Sequence, residues 1–95
     1  MKLRITPKAY SDLEGILEYL EPRNPAAAEG LVERILDVTR GLEEMPERGR
    51  PGRVSGTREL VVTATNYLVA YRIHDESIEV LRVLHGRQRW PRRLP

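Results

Sequence analysis

The chain has 95 residues, a formal net charge of +2 and no cysteine. That length suffices for one compact domain and is too short for two, so residues 1–95 are predicted to form a single domain. The absence of cysteine excludes disulfides, thiolate metal sites and a cysteine nucleophile, and it fits a reducing cytoplasm, where we expect the protein to act. The N-terminus interleaves charged and apolar residues, and no apolar run reaches membrane-spanning length. Neither a secretory signal nor contact with a membrane is therefore expected.

The two halves of the chain differ in charge. Residues 1–47 contain six basic and ten acidic residues, which gives a formal charge of −4. Residues 48–95 contain ten arginines and four acidic residues, which gives +6. Such a surplus of arginine favours an anionic or acidic partner for the C-terminal half.

The start of the chain predicts a strand followed by a helix. Residues 2–6 alternate apolar and polar side chains, which is the period of a short half-buried strand. Thr6 and Pro7 then form a helix start, because a hydroxyl can cap free amides and proline suits the first helical position. Apolar residues recur at helical spacing as far as Leu20, and the helix is expected to end near Pro22.

A second helix is predicted from Asn24 and Pro25, with an apolar face that continues until the chain reaches Met45 and Pro46. The linker between the two helices is only a few residues long, which favours an antiparallel hairpin. Residues 46–56 are rich in glycine, proline and arginine and show no period, so they are predicted to form a loop.

Three strand-like segments follow, at residues 58–63, 67–73 and 78–84. They are rich in Val, Leu, Ile and Tyr, and the gaps between them are too short for helical crossovers, so they predict an antiparallel meander. The complete pattern is that of an α+β, two-layer domain in the order strand, helix, helix and three strands, with the helical hairpin packed on one sheet face. The core candidates are Leu13, Leu17, Leu20, Leu31, Ile35, Val61, Val69, Tyr71, Val80 and Leu84.

The second face of the sheet is predicted to be only partly polar. Alternation along the middle strand of the meander places Leu68, Ala70 and Arg72 on this face, away from the helices. A partner protein could therefore cover it.

The usual signatures of enzymes are missing. Ser55 lacks the glycine two positions earlier that a nucleophile elbow needs. His74 and His85 have no second ligand at a metal-binding spacing, and the loop glycines are not followed by the Gly-Lys-Ser/Thr of a phosphate-binding loop. Neither a metal site nor a cofactor is predicted.

The prediction of a binding function rests on the arginine side chains. A guanidinium binds phosphate or carboxylate through two parallel hydrogen bonds, so arginines gathered at one sheet edge would form a basic rim for an anionic partner. An ordinary solvated charged surface is the alternative for any single arginine. The candidate binding residues are Arg50, Arg53 and Arg58 in or beside the loop, Arg72 and Arg82 in the strands, and Arg87, Arg89 and Trp90 in the tail.

Two residues near the C-terminus have competing interpretations. His85 could act as a general acid or base beside Arg87, or it could cap the end of a strand, and the second interpretation is favoured. Trp90, the only tryptophan, could stack on a nucleobase or anchor a partner. It could equally pack the tail against the core, and the sequence leaves these alternatives open.

Six segments of the chain, taken in order, resemble one known family, the RelE/ParE toxins of type II toxin–antitoxin systems. The resemblance covers nearly the whole chain and is closer to the ParE branch. It implies a small bacterial toxin that inhibits growth, stabilises plasmids and is neutralised by an antitoxin encoded beside it, in a toxin–antitoxin hetero-oligomer. The segments are Asp12 to Leu20 (DLEGILEYL), Asn24 to Ala28 (NPAAA), Pro46 to Gly52 (PERGRPG), Arg58 to Val62 (RELVV), Tyr67 to Arg72 (YLVAYR) and Val83 to Arg87 (VLHGR).

The resemblance implies two alternative mechanisms. ParE-like members are thought to poison DNA gyrase, whereas RelE-like members are metal-independent endoribonucleases that cut messenger RNA on the ribosome. Leu68 occupies a position that is usually arginine in the ribonuclease branch, and no tyrosine follows Tyr71. The leading hypothesis is therefore a ParE-like gyrase poison without chemistry of its own.

The first alternative is a RelE-like ribonuclease that binds the ribosome and messenger RNA. In that case Arg58, Arg72 and Arg87 would hold the scissile phosphate region, and His85 would move protons. The second alternative is a family member that has lost its toxicity.

Overall fold

A computed structural model describes residues 1–94 and arranges them as two helices on one five-stranded sheet. The strand order is β1-β5-β4-β3-β2, where β1 pairs parallel with β5 and every other pair is antiparallel. The predicted α+β, two-layer architecture is confirmed. The elements are β1 (Lys2–Ile5), α1 (Pro7–Leu20), α2 (Pro25–Arg40), a 3₁₀ turn (Gly41–Glu43), β2 (Arg50–Pro51), β3 (Arg58–Val61), β4 (Tyr67–His74) and β5 (Ser77–His85).

Besides shifts of one or two residues at the ends of other elements, the structure differs from the sequence prediction in two places. The helix α2 ends at Arg40, and the chain continues through the 3₁₀ turn rather than as helix to Met45. The predicted loop contains a strand, because Arg50 and Pro51 pair with β3 at the sheet edge. Both side chains of this two-residue strand are exposed, so it has no apolar alternation that the sequence could reveal.

Both helices begin at the predicted caps. The Thr6 hydroxyl oxygen accepts a hydrogen bond from the Ala9 amide at 3.3 Å, and the Asn24 side-chain oxygen accepts one from Ala27 at 3.2 Å. Thr6 also donates to the carbonyl of Leu81 at 3.2 Å, so the same residue that starts α1 attaches it to β5. Proline follows each cap, as expected for a first helical position.

The helices bury one face of the sheet. Alternate residues of β3, β4 and β5 meet the apolar stripes of α1 and α2 there. Five of the predicted core residues belong to this cluster: Leu13, Ile35, Val69, Tyr71 and Val80. The whole cluster comprises Ala9, Leu13, Ile35, Leu42, Leu60, Val62, Val69, Tyr71, Ile78, Val80 and Val83, with Leu31 partly buried against it.

The core prediction is wrong at three positions. Val61 is 47% exposed, because Leu60 lies opposite Val69 and points to the helices, so Val61 points away from them. Leu17 and Leu20 are half-buried and lie outside the cluster. Leu17 flanks the stripe of α1 that carries the buried residues, and Leu20 lies in the last turn.

Part of the second face of the sheet is buried as well. Leu68 lies opposite Leu84, and the register puts both side chains on the face away from the helices, together with Ala70. Their exposed fractions are 6%, 1% and 0% for Leu68, Leu84 and Ala70. The predicted core residue Leu84 is therefore buried on the opposite face, and this same chain covers the part of that face around Leu68, Ala70 and Leu84.

The loop before β3 is fastened to the core by one hydroxyl. Tyr71 is fully buried, donates from its hydroxyl to the carbonyl of Pro46 at 2.7 Å and accepts from the amide of Gly49 at 2.9 Å. A Cβ atom at Gly49 would lie 2.7 Å from that hydroxyl, so only glycine fits there. Burial raises the pKa of Tyr71 above its ordinary value.

The hydroxyl contact predicts the effect of Tyr71→Phe. The substitution leaves a buried carbonyl and a buried amide without their partner, which should lower the free energy of unfolding by about 1–3 kcal/mol. Denaturant unfolding measures this loss. The control is Tyr10→Phe, since Tyr10 is 52% exposed and its loss should change little.

The same substitution should alter stability in alkaline solution. Because the folded pKa of Tyr71 is raised, the unfolded chain loses this proton first, and stability falls as the pH rises past about 10. Tyr71→Phe should make that decline shallower without abolishing it, because burial also raises the pKa of Tyr67. An unchanged pH profile would contradict the assignment.

Candidate functional site

A buried carboxylate organises the centre of the second sheet face. Glu59 lies opposite Ala70 in register and is 2% exposed. Its oxygens accept from the Arg53 amide at 2.8 Å and from the Arg50 guanidinium at 3.3 Å, and the Arg53 Nε lies 3.5 Å away. A carboxylate withdrawn from water needs such donors, so Arg50 and Arg53 are tied to the sheet rather than left free at its rim.

Arg82 is also tied to a carboxylate. It donates to both oxygens of Asp12, at 2.7 and 3.0 Å, and the backbone amide of Val83 donates to the same group at 2.9 Å. The side chains of Arg82 and Asp12 are only 14% and 12% exposed. The pair joins α1 to the edge of β5 just beyond Val80, the last residue of β5 that pairs with β1.

The remaining candidate arginines outside the tail have partners too. Arg72 and Arg4 both contact the carboxylate of Glu79, at 3.3 and 2.9 Å. Arg58 donates to the backbone carbonyl of Gly49 at 2.7 Å and to that of Glu47 at 3.3 Å. Arg58 thus fastens the loop that Tyr71 also holds.

His85 closes the turn at which the chain leaves the sheet. Its Nδ1 accepts from the amide of Arg87 at 3.0 Å, and its own amide donates to the side-chain oxygen of Gln88 at 2.7 Å. The ring also makes an edge contact with Tyr67, with centroids 5.2 Å apart. An accepting Nδ1 places the proton of the neutral ring on Nε2, and the imidazole acts as a cap in this geometry.

The loop and the tail meet through an aromatic contact. The guanidinium carbon of Arg53 lies 3.8 Å from the centroid of the Trp90 ring, a cation–π distance. Trp90 is half-buried, and its Nε1 is inaccessible to solvent without a hydrogen-bond partner among residues 1–94. Because Arg53 is held by Glu59, this contact brings Trp90 towards the second sheet face.

Four arginines of the tail differ from those of the sheet. All four are exposed, and none of their side chains forms a hydrogen bond or ion pair within the described part of the chain. Five arginines of residues 48–94 therefore carry charge without such a contact, and four of them lie after β5, the fifth being Arg48 in the loop. The four after β5 are Arg87, Arg89, Arg92 and Arg93.

The structure does not bring the four candidate ribonuclease residues together. Arg58 lies opposite Tyr71 and shares its face, whereas Arg72 lies on the other face. His85 lies opposite Tyr67, five residues from Arg72 along β4, which is roughly 16 Å at about 3.3 Å per residue. Arg87 follows His85 at the same distant end of the sheet.

Within residues 1–94, no three His, Asp or Glu side chains approach closely enough to hold a metal ion. Neither of the helices described is long and apolar enough to cross a bilayer.

Sequence reasoning missed the acids that hold the sheet arginines. Glu59 shows one usable signal, since strand alternation puts it on the face of Leu68 and Ala70, where an acid requires a partner. Asp12 gives no such signal, because its partner Arg82 is 70 residues away.

Comparison with protein families decides the relationship. Residues 3–90 match the family described as the ParE toxin of the type II toxin–antitoxin system parDE. The chain belongs to the ParE toxin family. This ParE-family protein is therefore a toxin of the type II toxin–antitoxin class, as its resemblance to RelE/ParE toxins implied.

Two curated relatives span almost the full length. A protein of Sinorhizobium fredii that carries the toxin name Y4kP is 41% identical over 90 residues, which covers 95% of this chain and 93% of the relative. Toxin RelE3 of Caulobacter vibrioides is 28% identical over 89 residues and covers 92% and 96%. The relatives thus include a protein named for the RelE branch.

Two solved structures share the fold. The chromosomal ParDE toxin–antitoxin system of P. aeruginosa matches with a TM-score of 0.82 at 27% identity, covering 90% of this chain and 95% of that one. The toxin–antitoxin complex RelBE2 of Mycobacterium tuberculosis matches with a TM-score of 0.55 at 29% identity, covering 88% and 95%. The ParDE chain is the better geometric match of the two.

The pairing of Asp12 with Arg82 predicts a strong effect of Asp12→Ala. Removing the carboxylate leaves a nearly buried guanidinium and the Val83 amide unpaired, which should cost about 3 kcal/mol of unfolding free energy. The control is Asp37→Ala, because the pair of Asp37 and Arg40 is exposed and should contribute less than about 1 kcal/mol. Equal effects of the two substitutions in denaturant unfolding would show that Arg82 is not held as described.

Proposed function

We propose that this protein is a ParE-like toxin that poisons DNA gyrase by binding it, and that a cognate antitoxin keeps it inactive. The observation that carries the proposal is the division of the arginines. Those of the sheet are engaged with acids or backbone carbonyls, whereas Arg87, Arg89, Arg92 and Arg93 have no partner within residues 1–94. Unpaired guanidinium groups on an exposed segment suit the binding of phosphates or carboxylates on a large target.

The separation of the candidate catalytic residues supports binding over RNA cleavage. Phosphodiester cleavage needs a proton acceptor and donors to the phosphate within hydrogen-bond reach of one reacting centre. Arg58, Arg72 and His85 lie on different faces or at different ends of β4 and its neighbours. Leu68 is buried where the ribonuclease branch usually carries arginine. The Tyr71 hydroxyl is already engaged by two backbone groups.

The two solved structures that share the fold support an antitoxin partner. One matched structure is named as a ParDE system and the other as a RelBE2 complex, so both are toxin–antitoxin pairs. The exposed basic tail gives an acidic antitoxin segment a surface of opposite charge, and a hetero-oligomer is the expected resting form. Cytoplasmic action follows from the proposed target.

The gyrase proposal predicts two assay results with purified protein. DNA supercoiling by gyrase should be inhibited with accumulation of cleaved DNA, and messenger RNA on translating ribosomes should stay intact. The double substitution Arg87→Ala with Arg89→Ala should weaken the inhibition at least about tenfold, since each charged hydrogen bond contributes roughly 1.5 kcal/mol or more. The matched control is Lys2→Ala with Lys8→Ala, which removes the same charge from exposed positions at the other end of the chain.

Three results would overturn this assignment in different ways. Codon-periodic cleavage of messenger by the wild type, abolished in His85→Ala, would favour the ribonuclease. Full inhibition of gyrase by the tail double variant would remove the tail from the binding surface. A wild type inactive in both assays, and harmless when produced without antitoxin, would identify a family member that has lost toxicity.

Antitoxin binding should depend on salt in its association step. The probe is the product of the short acidic reading frame expected beside this gene. Charge steering should make the association rate constant fall as salt is added, while apolar contacts keep the dissociation rate nearly constant. Surface binding kinetics at several salt concentrations measure both rates. Undetectable binding would refute the partner, and a salt-independent association rate would refute the role of the basic tail.

A further inference from the structure

The C-terminal segment 86–94 has two points of attachment in the structure. The first is the turn after β5, where His85 and Gln88 hydrogen-bond to the backbone and the amide of Gly86 donates to the carbonyl of Asn66 at 2.6 Å. The second is Trp90, whose ring lies against the Arg53 guanidinium. Three of the four free arginines, at positions 89, 92 and 93, follow the turn and lie within three residues of Trp90.

Arg53 is held by an acid as well as by its stacking contact. Its backbone amide and its Nε both face the carboxylate of Glu59, at 2.8 and 3.5 Å. Glu59 is nearly inaccessible and belongs to a strand paired on both sides, by β2 and β4. The connection therefore runs from the rigid sheet through one acid and one guanidinium to the tail.

We infer that Arg53, oriented by Glu59, is a positioning residue that holds Trp90 and thereby fixes the tail arginines in the arrangement that contacts the target. The inference rests on the proposed function, because it assigns the tail arginines to target binding. The Arg53 side chain is 46% exposed, and its guanidinium is engaged by both Trp90 and Glu59. The inference assigns Arg53 a role through the tail and not a direct contact with the target.

The contact between Arg53 and Trp90, called the clamp below, pre-organises the tail for binding. A tail detached from the sheet would have to be ordered when it binds, and that loss of conformational freedom lowers affinity without removing any contact with the target. Release of Trp90 should therefore weaken target binding about fivefold to tenfold, which is the range expected for ordering one or two side chains.

Substitutions of Trp90 can distinguish the stacking contact of its ring from a hydrogen bond of its indole nitrogen. Within the described residues Nε1 is buried and donates to nothing, so a ring without this group loses no hydrogen bond in the folded state. Trp90→Phe keeps an aromatic face for Arg53 and should retain most of the inhibition. Trp90→Leu keeps an apolar side chain but removes the face, and it should show the fivefold to tenfold loss.

The first measurement uses Trp90 as the only intrinsic tryptophan signal of the chain. Acrylamide quenching should be low in the wild type and should rise in Arg53→Leu towards that of a free tryptophan derivative. Folding should survive, because Arg50 remains beside Glu59 at 3.3 Å. The matched control is Arg48→Leu, which removes the same charge from an exposed position in the same loop. It should leave quenching unchanged, and thermal unfolding verifies that all variants are folded.

The second measurement is gyrase inhibition by the same variants. Arg53→Leu and Trp90→Leu should each weaken inhibition fivefold to tenfold, whereas Arg48→Leu and Trp90→Phe should not. Unchanged quenching in folded Arg53→Leu would overturn the clamp. Increased quenching with unchanged inhibition would overturn the positioning role and leave the gyrase proposal intact. If the wild type does not inhibit gyrase, both the proposed function and the positioning role are refuted. This holds even if quenching confirms the contact between Arg53 and Trp90.

Discussion

Pairing between carboxylates and guanidinium groups determines where the positive charge of this protein is available. Each of three acids on or beside the sheet, Asp12, Glu59 and Glu79, holds one or two arginines. Glu59 shows the constraint most clearly, because a carboxylate that is 2% exposed destabilises the fold unless donors surround it. Arg50 and Arg53 supply those donors, and in doing so they fix the loop that precedes β3.

The same pairing separates the arginines of the C-terminal half into two groups. A count of residues after position 47 gives +6, which suggests one continuous basic surface. In the folded protein the sheet arginines are engaged, and apart from Arg48 in the loop the exposed unpaired arginines of this half lie in the tail beyond His85. A toxin built in this way presents much of its unpaired positive charge on a short segment, which the turn after β5 and one stacking contact attach to the sheet. In the proposed function this segment recognises a large partner.

Features encoded by neighbouring residues were predictable from the sequence. The caps at Thr6 and Asn24 lie within three residues of the amides they bind, and the short linker alone requires an antiparallel hairpin. The meander also follows from short gaps between strands. Which residues of β3 face the helices was not predictable from the strand alone, because Leu60 and Val61 are both apolar. Only the pairing of Leu60 with Val69 decides which of the two is buried.

The candidate site was harder to predict because its contacts are not local. Asp12 reaches Arg82 across 70 residues of sequence, and Trp90 meets Arg53 only once the tail returns to the sheet. The sequence named Arg53, Arg87, Arg89 and Trp90 as candidates for one binding surface. It could not distinguish a guanidinium that holds the fold together from one that is exposed and unpaired, because that depends on the tertiary position of each acid.

Hydrogen exchange at the arginine Nε–H groups, measured by NMR at neutral pH, tests this division most directly. The account predicts a slowly exchanging Nε–H for Arg82, whose Nε donates to a carboxylate at 2.7 Å in a side chain that is 14% exposed. It predicts rapid exchange, at the rate of a free side chain, for Arg87, Arg89, Arg92 and Arg93. Protection of the tail arginines equal to that of Arg82, or rapid exchange at Arg82, would contradict it.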